Sequence, residues 1–531
     1  MFNRERPWAS GATWIVPRRK GWGALLAVLM VIAGCAQPPP PPPFVADTAQ
    51  RTLAAGFQQL SERYVEYLPV GVLAFEGLRG LNALDPAFEA RREANRLVYQ
   101  IEGWPAHAVA IPADTDAEGW ASRIIEAVRQ VKQQSRAIAL ASQERIFEAV
   151  FDGSLSLLDS YSRYASAEEA IRNRERRSGF GGLGLVVHPS FKGVTVSDVY
   201  IDSPAQRAGM KEGDLITHLD DQPLAGSMNI DPATFGRGTI GTPVMLRVER
   251  KGFLPFELEL RRQRILEPTV FVSARNNIVT ARITGFNRRT TRHLATQLTE
   301  AIQQLDGAAK GIVLDLRGNP GGLLSEAIKV ADLFIPEGRI LSTQGRHPAS
   351  VHDYDAREDD VGDGLPMVVI VNGRSASASE IVAAALQDHE RAVVVGSSSY
   401  GKGTVQTVIP LPNEGELTVT WSRFVTPSGY TLNGLGVHPS ICTASPKSTA
   451  EQLIHRAVSS GKDIVEMFRE WREADRTGAD RKRLKAQCPA SDVAGDVDGA
   501  IAEALITDGD LYSRVISLAP AMASAEPRRA P

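Results

Sequence analysis

Short, uninterrupted apolar runs separated by helical patterns fill the second half of this 531-residue chain. The runs include GIVLDL and PMVVIV, which start at residues 311 and 366, and one helical pattern, TTRHLATQLTEAIQQL, starts at residue 290. A strand that is apolar on both faces needs cover on both faces, as the central strands of layered α/β proteins have. We therefore predict an α/β core over residues 263–444.

Regions of different character flank this core. Residues 46–165 show helical periodicity with few strand signals and predict a helical N-terminal region. Residues 179–262 consist of short β-rich runs broken by glycine, which predict a small β-domain. Residues 445–531 carry helical patterns and end in a Pro/Ala-rich tail that we predict to be disordered. The predicted fold class is therefore a multidomain α/β protein.

The first residues have the features of an export signal. A basic cluster at positions 18–20 precedes the apolar stretch GALLAVLMVIAGC, which is too short to favour a stable membrane span. We therefore predict a signal peptide over residues 1–35. Its end, VIAGC, resembles the bacterial lipoprotein box, and this resemblance implies that Cys35 is lipidated and becomes the first residue of the mature chain. The alternative is an ordinary signal peptide with an incidental cysteine.

A proline-rich segment at 36–45 follows the signal. Polyproline II extends about 3 Å per residue, so we predict that this segment is a tether holding the folded part away from the membrane. Alanine rather than aspartate follows the cysteine, at position 36. By resemblance to the sorting rule of two-membrane bacteria, this residue favours the outer membrane over the inner membrane, with the protein facing the periplasm.

The composition is that of a soluble globular protein. Hydrophobic residues make up 43% of the chain and charged residues 23%, and the formal net charge is -3, so nothing indicates nucleic-acid binding. The sequence has no zinc-type cluster of His and Cys, and we expect neither a metal nor an organic cofactor. After export, Cys442 and Cys488 would meet an oxidising compartment. The sequence gives no distance between them, so a disulfide and two free thiols both remain open.

The β-rich segment resembles a PDZ domain. The resemblance lies in GLGL from residue 182, SPAQRAGMKEGDLITHLDDQPL from residue 203 and GTPVMLRVER from residue 241. PDZ domains bind an extended peptide as an added strand. The resemblance implies that a terminal carboxylate is received by the backbone amides of Gly182, Leu183, Gly184 and Leu185. The groove-lining segment MNIDPATFGRG departs from the family pattern, because it contains two glycines and offers Phe235 where paired aliphatic side chains are commoner.

Three alternating serines follow the apolar run PMVVIV, in the segment NGRSASASEIV at 372–382. In parallel sheets, side chains and free helix N–H groups meet a ligand at the turn from strand to helix, which is where a nucleophile belongs. A serine hydroxyl also needs a neighbouring base. His389 is the nearest histidine in sequence, but it lies about three helical turns beyond the serines, far from the start of the predicted helix. Lys402, between two glycines in SYGKGTVQ, becomes a base if burial lowers its pKa.

These segments, with LDLRGNPGGLL before them and TPSGYTLNGLGVHP after them, resemble the C-terminal processing peptidases, also called tail-specific proteases. The match covers about residues 140–440 and includes LLDSYSRY. These enzymes are serine proteases with a Ser-Lys dyad. The resemblance implies an α/β peptidase core with a mixed sheet, in which Ser377 is the nucleophile, Lys402 the general base and Gln406 the residue that orients the lysine. Ser375 and Ser379 are then expected to be structural hydroxyls.

The resemblance also implies an oxyanion hole. Its donors would be the backbone N–H of Ala378 and one from the glycine loop GNPGG, either Gly321 or Gly322. Backbone donors stabilise a tetrahedral oxyanion without adding a charge that would perturb the lysine. We interpret Glu380 as a charge at the helix N-terminus with no catalytic role. The implied substrates are envelope proteins with accessible, flexible, apolar C-terminal tails, which the PDZ domain binds or senses.

Several alternatives remain open at this point. One is an active endopeptidase, another is a catalytically silent PDZ lipoprotein that serves as a scaffold or adaptor, and a third is a Ser-Lys amidase with a non-protein envelope substrate. The sequence does not indicate whether the PDZ domain inhibits or activates the enzyme. The sequence leaves three roles open for the C-terminal extension: it caps the core, forms a homo-oligomer interface or docks an adaptor protein.

Overall fold

The structure is a computed structural model of the chain and describes residues 45–226, 230–232, 234–357, 359–445, 448–477, 480–492 and 496–519. These residues all belong to one compact unit. The predicted signal peptide, Cys35, the tether as far as residue 44 and the C-terminal tail from residue 520 lie outside the described residues. Within the described ranges, every helix is too short or too polar to cross a bilayer.

The N-terminal region packs helices around a small sheet. Its helices are α1 (Ala46–Arg63), α2 (Val70–Arg79), α3 (Ala117–Val131), α4 (Arg136–Leu140), α5 (Gln143–Leu155) and α6 (Ala167–Ser178), with a 3-10 turn at Gly80–Ala83. Three antiparallel strands interrupt them: β1 (Phe88–Glu93), β2 (Arg96–Ile101) and β3 (His107–Ala110). The predicted helices are present, and a small sheet that the sequence did not predict lies among them. The strand FEARRE is largely polar and exposed, so it lacks the apolar alternation that signals a strand.

The PDZ-like region is a separate β-domain. The short strand β4 (Arg163–Ala165) belongs to the N-terminal region and precedes this domain. The elements of the domain are β5 (Phe180–Gly182), β6 (Leu185–Ser190), β7 (Gly193–Val199), α7 (Pro204–Arg207), β8 (Leu215–Leu219), β9 (Gln222–Pro223), β10 (Pro243–Glu249), β11 (Phe256–Arg261) and β12 (Gln263–Ile265). The main sheet has the order β11-β10-β8-β7-β6. Alternate residues of β10 are buried, so one face of the sheet forms the domain core. Strands β5 and β12 pair with each other, which places the entry and exit of the domain side by side.

The predicted α/β core contains two sheets. Its elements are β13 (Val270–Arg275), β14 (Ile278–Ile283), α8 (Thr290–Gln304), β15 (Gly311–Asp315), α9 (Leu324–Asp332), β16 (Arg339–Gln344), β17 (His352–Asp355), β18 (Met367–Val371), α10 (Ala378–Asp388), β19 (Val393–Gly396), β20 (Thr404–Pro410), β21 (Glu416–Val425) and β22 (Ile441–Cys442), with a 3-10 turn at Pro348–Ser350. The larger sheet has the order β13-β14-β15-β18-β19-β22. Strand β13 is antiparallel to β14 and the remaining pairs are parallel, so the sheet is mixed, as predicted.

The second sheet joins the N-terminal region to the core. Its order is β17-β16-β21-β20, and β4 of the N-terminal region pairs with β21. Apolar side chains of β20 and β21, including Ile409 and Leu417, are buried in the N-terminal hydrophobic cluster. The strand pairing and the shared cluster thus join LLDSYSRY, at 157–164, to the second sheet.

The C-terminal extension forms a further layer of the core. It consists of α11 (Ala450–Ser459), α12 (Gly461–Thr477), α13 (Arg481–Lys485), α14 (Asp496–Thr507) and α15 (Gly509–Ile516). Helices α11, α14 and α15 cover one face of the larger sheet, where Val368 of β18 packs in a cluster with Leu453 and Leu505. Val369 belongs to the cluster on the opposite face, to which α12 and α13 contribute Trp471 and Leu484. The extension therefore caps a sheet that needs cover on both faces.

A disulfide links this extension to the core. Cys442, at the end of β22, is bonded to Cys488, which follows α13, and their Cα atoms lie 5.8 Å apart. Of the two alternatives that the sequence left open for these cysteines, the structure has the disulfide.

Candidate active site

Ser377 lies where the chain leaves β18 and enters α10. Its backbone has φ 57° and ψ -111°, a conformation that residues with a side chain rarely adopt. A sharp turn between strand and helix is also how α/β-hydrolases expose a nucleophilic serine. Of the three alternating serines, Ser377 is the one that is not buried.

The two flanking serines occupy structural positions. Ser375 Oγ donates a hydrogen bond to the Leu316 carbonyl at 2.8 Å, and Ser379 Oγ donates to the Asn319 carbonyl at 2.9 Å. Both residues are fully buried. Their hydroxyls thus tie the serine segment to the loop that follows β15, which is the glycine loop of the predicted oxyanion hole.

A buried carboxylate holds the backbones of Ser377 and Lys402 together. Oε2 of Glu380 accepts hydrogen bonds from the Ser377 N–H at 2.7 Å and from the Lys402 N–H at 2.9 Å. Its Oε1 accepts from the Ser399 hydroxyl at 2.5 Å and from the Gly401 N–H at 2.6 Å. Burial raises the pKa of Glu380, and these four donors act in the opposite direction.

The helix-end role predicted for Glu380 does not include this connection between Ser377 and Lys402. A signal was present, because a glutamate three residues after an N-cap serine is the pattern of a capping box, which explains its bond to the Ser377 N–H. The contacts with Ser399, Gly401 and Lys402 join segments about 20 residues apart and carry no such local pattern.

The side chain of Lys402 is partly buried, and this burial lowers the pKa of its amine. The positive charge of Arg163 lowers the pKa further, whereas the negative charges of Asp159 and Glu380 act against the shift. Lys402 Nζ lies 5.0 Å from the centroid of the Tyr161 ring. Asp159, Tyr161 and Arg163 all come from LLDSYSRY, to which the sequence analysis assigned no role.

Within the described part of the chain, no hydrogen bond joins Ser377 Oγ to Lys402 Nζ. A nucleophile and its base are often more loosely placed in the absence of substrate and tighten in the substrate complex. Gln406 Nε2 donates to Thr404 Oγ1 at 2.8 Å and to Thr420 Oγ1 at 3.2 Å. Gln406 thus braces β20 against β21, and its described hydrogen bonds do not include Lys402.

The glycine loop lies directly against Ser377. A Cβ atom on Gly321 would lie 2.9 Å from Ser377 Cβ and 2.8 Å from the Ala376 carbonyl oxygen. The Gly321 N–H donates to Asn319 Oδ1 at 2.8 Å, so it is already engaged. Among the hydrogen bonds of the described residues, none has the N–H of Gly322 or Ala378 as donor. Of the two candidate glycines, Gly322 is therefore the one with an available amide.

The Gly182–Leu185 loop leads into β6, the edge strand of the PDZ sheet. Leu183 is buried, and Gly184 has φ 79°, with space too tight for a side chain because a Cβ would lie 2.2 Å from Ser203 Cβ. In the described residues between β9 and β10, turns take the place of a groove-lining helix. Phe235 packs against the domain core, and Gly236 lies over Leu183.

Fold and site together define a serine-type peptidase with an attached PDZ domain. The family model described as peptidase family S41 matches residues 277–443, and the PDZ domain model matches residues 181–254. The carboxy-terminal-processing protease of Bartonella bacilliformis is 38% identical over 312 residues, which cover 58% of this chain and 72% of that protein. The chain therefore belongs to the C-terminal processing proteases of peptidase family S41, as its motifs predicted.

Two further relatives illustrate the range of similarity. The carboxy-terminal processing protease CtpA of Bacillus subtilis is 34% identical over 296 residues, which cover 55% of this chain and 62% of that protein. A solved structure, the photosystem II D1 C-terminal processing protease, aligns over 69% of this chain and 92% of that chain with 23% identity and a TM-score of 0.36.

Proposed function

We propose that this protein is an envelope serine endopeptidase that cleaves proteins near flexible, apolar C-terminal tails through a dyad of Ser377 and Lys402. The observation that carries the proposal is the shared Oε2 atom of Glu380, which binds the backbone N–H of both residues. One rigid acceptor thereby fixes the nucleophile segment relative to the base segment, which is the preorganisation that covalent catalysis needs.

The mechanism is acyl transfer to serine. Neutral Lys402 accepts the proton of Ser377, whose Oγ attacks the scissile carbonyl carbon. The lysine then returns this proton to the leaving amine as the C–N bond breaks, and water hydrolyses the acyl-enzyme with Lys402 again as the base. The lowered pKa of Lys402 supports this role, because it increases the neutral fraction near neutral pH.

The oxyanion is proposed to bind between the N–H groups of Ala378 and Gly322. Both amides are available, and Ala378 is the first residue of α10, where the positive end of the helix dipole favours negative charge. The exposed edge of β6 supports a substrate tail that adds to the PDZ sheet as a strand, with its carboxylate at the Gly182–Leu185 loop.

The envelope location rests on the lipoprotein box at Cys35. Cys35→Ala is expected to release the protein from membranes, whereas Ala36→Asp should retain the anchor and move the protein to the inner membrane. Fractionation of cells into soluble, inner-membrane and outer-membrane material measures both outcomes. A Cys35→Ala variant that stays membrane-bound would contradict lipid anchoring at this residue.

Casein, an unstructured protein, provides the test of catalysis. The protein starting at residue 46 is compared with its Ser377→Ala and Lys402→Ala variants, and fragments are identified by mass spectrometry. Cleavage by the wild type alone is expected. If none of the three cleaves casein, a variant lacking residues 180–262 separates inhibition by the PDZ domain from a silent scaffold. This deletion is feasible because β5 and β12 are paired, so the ends that it joins lie close together.

A further inference from the structure

The segment 480–492, which we call the C-terminal strap, runs across the loops that carry the proposed dyad. It starts with Asp480, whose side chain caps α13, and continues past Cys488. The disulfide fixes the strap to the end of β22, next to β19 in the main sheet. The peptidase family model ends at residue 443, before the strap begins.

Lys485 connects the strap to the segment that precedes Lys402. Its Nζ donates a hydrogen bond to the Tyr400 carbonyl at 2.6 Å, and the Tyr400 N–H donates to the Ser375 carbonyl at 3.0 Å. Tyr400 is thus held on one side by the nucleophile segment and on the other side by the strap. The next two residues are Gly401 and Lys402, whose N–H groups both bind Glu380.

Two other strap residues brace the neighbouring loops. Arg481 donates to the Asn433 carbonyl, and the N–H of the next residue, Gly434, donates to the Gly401 carbonyl at 2.9 Å. Ser491 binds the segment before Lys402 and the segment before Ser377. Its N–H donates to Ser397 Oγ at 3.0 Å, and its carbonyl accepts from the Gly373 N–H at 2.9 Å. The strap therefore touches the segments before Ser377 and before Lys402, and the turn that binds Gly401.

The side chains that face Lys402 come from other elements. Asp159, Tyr161 and Arg163 belong to the N-terminal region, and Glu380 belongs to α10. Burial lowers the pKa of Lys485, and the negative charge of Glu380 acts against this shift. Among the described contacts, the strap therefore does not touch the amine of Lys402. It is connected to Lys402 through the backbone of Tyr400 and Gly401.

We propose that Lys485 is a positioning residue for the general base: held by the disulfide-anchored strap, it fixes the Tyr400 carbonyl and so sets the place of Lys402 beside Ser377. The inference rests on the proposed function. Without this contact, the loop at 400–402 gains freedom and water reaches the Lys402 amine more easily. Both changes reduce kcat, and access of water moves the pKa of Lys402 towards its ordinary value.

The first experiment compares full-length wild-type protein with Lys485→Met, Lys485→Arg and Lys482→Met. Methionine keeps the length of the side chain and removes the donor, arginine restores a cationic donor, and Lys482 is an exposed lysine on the same short helix. Loss of a hydrogen bond from a charged group predicts that Lys485→Met lowers kcat by about tenfold to a hundredfold. KM should stay nearly constant, the acid limb of the pH profile should move to higher pH, and Lys485→Arg should recover most of the rate.

The second experiment tests the anchor. A dithiol such as dithiothreitol transfers two electrons and two protons to the Cys442–Cys488 disulfide, which gives two cysteine thiols and the cyclic disulfide of the reagent. Once mass spectrometry shows both thiols free, kcat of the wild type should fall towards that of Lys485→Met, while Lys485→Met itself should change little. Full activity of the reduced wild type would overturn the role of the anchor.

A third readout separates this inference from the proposed function. The reactivity of the Lys402 amine towards acetic anhydride is measured as a function of pH, which needs no substrate turnover. If the wild type cleaves casein and Lys485→Met matches Lys482→Met in rate and pH profile, the inference is wrong and the proposed function stands. If neither the wild type nor the variant lacking residues 180–262 cleaves casein, the proposed function fails, and the labelling decides whether Lys485 sets the position of Lys402: an upward shift of the Lys402 titration in Lys485→Met supports this role, and an unchanged titration overturns it.

Discussion

Glu380→Gln removes half of the acceptor capacity at the centre of the site while it keeps the shape of the side chain. Each oxygen of Glu380 binds two donors, so an amide nitrogen in place of either oxygen leaves two donors without an acceptor. If the nitrogen replaces Oε2, the unpaired donors are the N–H groups of Ser377 and Lys402. If it replaces Oε1, they are the Ser399 hydroxyl and the Gly401 N–H.

The size of the effect follows from these two losses. A buried donor left without a partner costs about 1–3 kcal/mol, so we expect the free energy of unfolding to fall by about 2–6 kcal/mol. We also expect kcat to fall by at least about tenfold, because the segments that carry Ser377 and Lys402, the proposed nucleophile and base, lose their common acceptor. Urea denaturation measures the first quantity and cleavage of a peptide substrate the second. Glu300→Gln makes the same chemical change at an exposed position of α8 and serves as the control.

The outcome that would refute this reasoning is a Glu380→Gln variant as stable and as active as Glu300→Gln. Reduced stability with unchanged kcat would show that Glu380 supports the fold without organising the dyad. That result would remove the observation on which the proposed function most depends.

Two further substitutions test the packing around the site. Arg472→Met should lower the free energy of unfolding, measured by urea denaturation, by about 3–5 kcal/mol. Arg472 of α12 binds buried Asp388 at 2.8 Å, so its loss leaves a buried carboxylate without its cation. A decrease below about 1 kcal/mol would contradict this account of how the extension binds the core. Gly321→Ala should lower kcat in a peptide-cleavage assay far more than it changes substrate binding, because a Cβ there would lie 2.9 Å from Ser377 Cβ at a backbone φ of 102°. If kcat of Gly321→Ala equals that of the wild type, the glycine loop does not lie against Ser377 during catalysis.

The parts of the fold that the sequence predicted are those with a local signal. Continuous apolar runs such as MVVIV in β18 predicted buried strands, and the glycine-rich texture after residue 179 predicted the β-domain. The small sheet β1–β3 was missed because its first strand is polar and exposed. The capping layer was recognised only as helices, since a helical pattern does not say which surface the helix covers.

The candidate site divides in the same way. Ser377, Lys402 and the glycine loop lie in motifs and were found by resemblance. The four hydrogen bonds to Glu380 and the contact of Lys485 with Tyr400 join residues far apart in the chain, so no spacing rule could reveal them. The orienting role of Gln406 stays a prediction, because its described hydrogen bonds go to Thr404 and Thr420.

The most direct test of the dyad is the rate of acylation of Ser377 as a function of pH, measured in single turnovers for the wild type and for Lys402→Ala. If neutral Lys402 is the base, the wild-type rate is constant above the pKa of Lys402 and falls tenfold per pH unit below it. This pKa lies below the ordinary value of lysine. Lys402→Ala should acylate about 10²–10⁴-fold more slowly and should lack this acid limb. An acid limb that persists unchanged in Lys402→Ala would contradict the account, because another group would then be the base.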